Sequence, residues 1–262
     1  MISPRRSERA FLGVSTLLFA TSAAATIWWC VNMSAMGTMT MPGGWTMSMA
    51  WMRMPGQSWR GAAASFLAMW VVMMVAMMLP SLVPVLRHYR RVVDTMGDAH
   101  TGWLTMLVGA GYFFVWTVLG IAVFPLGVAL VAIEMRLPAL ARGVPIAVGV
   151  VVLIAGALQL TGWKARHLAC WREAPAHRQA LSTDAGAAWR YGVRLGVHCS
   201  RGSAGLTASL LVVGVMDLRA MAVATAAITL ERLAPAGERV AQAIGGVALA
   251  AGTVMIARAA GL

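Results

Sequence analysis

Up to Trp163 the chain is organised by long uncharged runs: Ala10 to Met52, Gly61 to Leu86, Thr101 to Ile133 and Gly143 to Trp163. Each supplies the ~20 consecutive, mainly apolar residues that a helix needs to cross the hydrocarbon core of a bilayer. Beyond Trp163 single charges break the pattern. Leu195 to Met216 contains Arg201, Ala220 to Leu230 stops at Glu231, and Val240 to Ala257 is uncharged again. The pattern predicts an all-α polytopic transmembrane bundle of seven spans, with six as the alternative. Its fifth and sixth helices are expected to form a tight hairpin around Asp217 and Arg219.

Composition agrees with this class. Apolar residues make up 60% of the 262 and charged residues 11%, and the mean hydropathy is +0.74. A soluble domain could not keep that much apolar surface from water. Residues 1–262 read as one integral membrane domain, with a methionine-rich outer loop at about 32–60 and a basic inner loop at about 164–194. The bilayer is therefore the first partner.

The net charge of +12 does not indicate nucleic acid, because the basic residues sit in short connections rather than on one soluble face. Arg5, Arg6 and Arg9 precede the first run, Arg87, Arg90 and Arg91 follow the second, and Lys164, Arg166, Arg172, Arg178, Arg190 and Arg194 follow the fourth. The alternate connections carry fewer. By the positive-inside rule this predicts a multi-pass protein of the bacterial inner membrane, N-terminus in the cytoplasm and methionine-rich loop outside. The first run continues through Ile27, Trp28, Trp29 and Cys30, which favours an uncleaved span over a signal peptide.

Methionine changes the picture most. Thirteen of the 20 methionines fall between Met33 and Met78. One group lies in the polar outer loop, including Met39, Met41, Met47, Met49, Met52 and Met54, and the other lies on the second helix. A thioether is a soft, uncharged donor suited to Cu(I). Met69, Met73 and Met77 recur every four residues and so share one helical face, with Met74 and Met78 on the adjoining stripe. Methionine also fills apolar interiors, which would account for the helix but not for eight methionines in a loop containing glycine and serine. The expectation is a relay from outer loop to membrane interior, with Pro80 freeing the Ala76 carbonyl one turn back.

The three cysteines, Cys30, Cys170 and Cys199, are too few for a disulfide framework. Cys30 reads as a packed apolar residue. Each of the others has a histidine close by: His167 stands three residues before Cys170, and His198 directly precedes Cys199. Histidine and thiolate together bind copper or zinc. Glu231, an ionisable group in an apolar span, is expected either to ligate metal or to form a buried ion pair, with Arg201 as its partner.

The segment Trp70-Val-Val-Met73-Met74-Val-Ala76-Met77-Met78-Leu-Pro80-Ser81-Leu-Val-Pro84 resembles the W-x-x-M-x-x-A-M-M-x-P-S-x-x-P signature of an uncharacterised bacterial family known as predicted metal-binding integral membrane proteins. Lys164 to Arg172, Gly196-Val-His198-Cys199, Val212 to Leu218 and Leu230-Glu231-Arg232-Leu233 resemble further elements of that family in the same order. The resemblance implies a membrane metal site. Where the family has two cysteines in the inner loop this chain has His167 and Cys170, and downstream of Cys199 it reads Arg201-Gly202-Ser203-Ala204 in place of further cysteines. Either His167 and His198 replace part of that ligand set, or the methionine helix alone is kept.

The expected function is handling of a soft metal, copper as Cu(I) first and zinc second, for uptake, export or delivery to a periplasmic or membrane copper protein. The metal residues are Met69, Met73, Met77 and Met78 on the second helix, Met47 and Met49 in the loop, and His167, Cys170, His198, Cys199 and Glu231. A membrane redox enzyme and a metal-free scaffold or transporter are the alternatives; the sequence shows no catalytic constellation, and self-association to a homo-oligomer stays open.

Overall fold

A computed structural model describes residues 4–35, 39–41, 45–47, 51–53, 56–95, 100–173 and 184–261. In chain order its elements are α1 (Pro4–Ala35), β1 (Met39–Thr40), β2 (Thr46–Met47), α2 (Trp59–Thr95), α3 (Thr101–Arg136), α4 (Pro138–Gln159), α5 (Gly162–Glu173), α6 (Ala185–Gly214), α7 (Leu218–Leu233) and α8 (Gly237–Ala260). The two short strands pair antiparallel, Met39 opposite Met47. Helix dominates because the long apolar runs can satisfy their backbone groups in lipid only within themselves.

Five helices, α1, α2, α3, α4 and α8, are long and apolar enough to cross a membrane. The chain is a multi-pass helical membrane bundle. The predicted fifth and sixth spans exist as α6 and α7, with a different character. α6 is 30 residues long but carries Arg190, Arg194 and Arg201, and α7 has only 16 residues, short of a full crossing. Their hairpin turns where expected. Gly214 adopts φ +149°, and the Asp217 side chain accepts from the Arg219 and Ala220 backbone N–H groups to cap α7.

α2 is the central element. Met69, Trp70, Met73, Met74, Met77, Met78 and Leu82 are all buried along it, and it packs on α1, α3 and α7. It runs unbroken through Pro80 and Pro84. Trp70 Nε1 donates to the Trp116 carbonyl at 2.8 Å and ties α2 to α3. α3 in turn lies against α6 at backbone distance. A Cβ on Gly192 would stand 2.2 Å from the Val108 carbonyl oxygen, and one on Gly196 would stand 2.8 Å from that of Tyr112. Only glycine permits this approach, which brings the next turn of α6 to the side chains of α2 and α3.

Candidate metal centre

That next turn carries Cys199. Its side chain is fully buried, with Sγ 3.8 Å from Met78 Sδ on α2 and 2.8 Å from the Tyr112 hydroxyl on α3. Two sulfurs each ~2.3 Å from a shared metal lie 3.8 Å apart when they subtend an angle of about 110°, the tetrahedral value. The same separation is also ordinary contact between sulfurs. The separation is thus compatible both with two sulfurs sharing a soft cation and with plain packing.

The stripe behind it is dry. Met73, Met74, Met77 and Met78 are at most 3% exposed. Met69, two turns from Met77 on the same face, is buried as well.

Charged groups close the other side. Arg232, near the end of α7, donates through Nη2 to Cys199 Sγ at 3.1 Å and to the Cys199 carbonyl at 3.4 Å, and through Nη1 to Ser81 Oγ at 3.0 Å. Its guanidinium lies 4.4 Å over the Trp171 ring of α5. The sequence reading missed Arg232, although hairpin geometry could have found it. Cys199 lies fifteen residues before Gly214 and Arg232 fifteen after Asp217, so the two are level on antiparallel helices.

Glu231 is engaged by other groups. Its Oε2 meets Lys164 Nζ at 2.7 Å and its Oε1 accepts from Gln159 Nε2 at 2.6 Å. The expected pairing with Arg201 is not formed. Arg201 is exposed, and Lys164 reaches in from the start of α5 to take its place, also donating to the Gly202 carbonyl at 2.6 Å. Burial pushes the Lys164 pKa below its usual value, against the opposing pull of Glu231. With both carboxylate oxygens engaged, Glu231 acts as the counter-charge of Lys164.

Of the paired histidines, His167 on α5 and exposed His198 on α6 approach with ring centroids 6.4 Å apart. His167 stacks on Trp163 at 4.3 Å, and its Nε2 is buried with no hydrogen-bond partner among the described residues. Burial first, then the neighbouring His198 and Arg201, lowers its pKa, which favours the neutral ring. The backbone of Cys170 lies in α5; its side chain is outside the described residues, as are Met49 and the Met47 side chain. Met41 is buried against Val131. Cys30 on α1, read as packing, has its Sγ 3.9 Å from Met216 Sδ, just before the α7 cap.

Among the described residues no three His, Cys, Asp or Glu side chains converge on a point that could hold a metal. Around Cys199 the further donors in reach are thioethers, which select soft ions. The chain matches the family described as PpoB2, copper chaperone, over residues 67–255, and it belongs to that family. The match begins inside α2 and ends inside α8, so it takes in the methionine stripe, Cys199 and Arg232 and leaves out α1 with Cys30. No curated protein and no solved structure matches the chain.

Proposed function

We propose that this member of the copper chaperone family carries Cu(I) as cargo, held between Met78 and Cys199 at the end of the methionine stripe. The observation that carries the reading is that Cys199 Sγ meets Met78 at the end of the buried methionine stripe of α2, where thioether and thiol outcompete harder donors for Cu(I). Met47 and Met49 would collect the ion, and Met69, Met73 and Met77 would pass it along α2. His167 and His198, with Cys170 one helical turn from His167, would receive it on the basic side of the bundle. The arginine distribution favours a bacterial inner-membrane location with the N-terminus inside. The product of the process is copper delivered to a periplasmic or membrane copper protein.

The test is metal counting by mass spectrometry on detergent-purified protein loaded with Cu(I) under reducing conditions. Wild type is expected to retain about one copper per chain at this centre. Replacing Met73, Met77 and Met78 by leucine conserves volume and costs little packing, yet should empty it, as should Cys199→Ala. Copper retained undiminished by both variants overturns the reading.

A further inference from the structure

We infer that Arg232 acts as a charge filter on the Met78–Cys199 centre, a fixed buried cation that favours a monovalent soft ion over a divalent one. The inference rests on the copper reading above and adds the residue that sets ionic charge selectivity.

Arg232 is 7% exposed, and a guanidinium keeps its proton in proteins. A buried cation ordinarily has a carboxylate against it. Here the adjacent carboxylate, Glu231, is held by Lys164 and Gln159. Among the described residues the ion pairs are Arg87–Glu8, Arg91–Glu8 and Lys164–Glu231, and Arg232 is in none. Its donors go instead to Ser81 Oγ, the Cys199 carbonyl and Cys199 Sγ, with Trp171 beneath its plane. These contacts fix the charge in place beside the sulfurs.

The methionine thioethers are neutral and the cysteine supplies at most one negative charge, which Arg232 balances. A monovalent guest leaves the cluster with one net positive charge, and a divalent guest leaves it with two. Repulsion from Arg232 rises in proportion to the guest's charge. At ~5 Å and an effective dielectric of ~20 the added unit charge separates the two guests by about two orders of magnitude in affinity. Both guests displace the same thiol proton, so the ratio of their affinities is independent of the protonation state of Cys199. That ratio is the quantity to measure.

The probes are Ag(I), a redox-stable monovalent thiophile, and Cd(II), a divalent one, in equilibrium dialysis of the detergent-solubilised full chain with metal counting. Wild type is expected to bind Ag(I) and discriminate against Cd(II). Arg232→Gln should shift the ratio toward Cd(II) by about a hundredfold, whereas Arg232→Lys, which keeps the charge, should hold it within about tenfold. Ser81→Asp leaves Arg232 in place and sets a carboxylate against its guanidinium, so it should reproduce the Arg232→Gln shift even if that variant fails to fold. An unchanged ratio in folded Arg232→Gln or in Ser81→Asp, with Ag(I) still bound, overturns the filter and leaves the copper reading standing. Wild type that binds no Ag(I) takes down both.

Discussion

Two cysteine–methionine pairs lie in this bundle at nearly the same sulfur separation, Cys199 with Met78 at 3.8 Å and Cys30 with Met216 at 3.9 Å. Their settings differ. Cys199 sits where α2, α3, α6 and α7 converge, with the Tyr112 hydroxyl and the Arg232 guanidinium on its sulfur and the Lys164–Glu231 pair one residue along α7. Cys30 sits on α1, whose Val14, Leu17 and Trp28 face outward, against the turn that starts α7, and it precedes the segment shared with the copper chaperone family. Sulfur spacing alone therefore does not mark a site. At the Cys199 pair a buried guanidinium and a buried hydroxyl sit on the sulfur itself, which apolar packing does not require.

The largest effect should come from the scaffold that holds the first pair. Glu231→Ala strands Lys164, 3% exposed, and is expected to lower stability by about 3–5 kcal/mol. Thermal unfolding in detergent would read this, and Lys164→Met combined with Glu231→Leu should recover most of the loss. A smaller effect of the single variant would mean that water reaches the pair.

Next comes the direct contrast. Cys199→Ala should reduce Ag(I) affinity by more than the ~100-fold expected for loss of an outer hydrogen-bonding partner, whereas Cys30→Ala should leave both affinity and stoichiometry unchanged. Equal losses in the two variants would erase the distinction between the pairs. The smallest effect belongs to Tyr112→Phe, which removes one hydrogen bond to the Cys199 sulfur and should weaken Ag(I) binding by about tenfold with the fold intact.

Much of this was legible in the chain. The uncharged runs located α1, α2, α3, α4 and α8, because crossing a bilayer imposes a length and a composition that any window of sequence displays. The methionine face of α2 followed from the four-residue spacing alone, and Asp217 marked the α6–α7 hairpin. The pairing of charges was less legible. Arg201 looked the natural partner of Glu231 because both lie on the hairpin, yet side-chain direction decides such pairs. Arg201 points outward while Lys164 enters from α5, an element hidden inside what read as a basic loop. Arg232 entered the sequence reading only as part of the Leu230-Glu231-Arg232-Leu233 element, with no role of its own.

The sequence by itself thus determined the membrane class, the helical elements and the enrichment in soft donors, since each depends on composition or on spacing within one segment. The tertiary structure alone decided which donors meet. It brought Met78, 121 residues from Cys199 in the chain, to that cysteine, set Arg232 beside both, and spent Glu231 on Lys164. The physical reason lies in the close α3–α6 approach at Gly192 and Gly196, which fixes helix depth and rotation. Those two quantities belong to pairs of helices and are written in no single one of them.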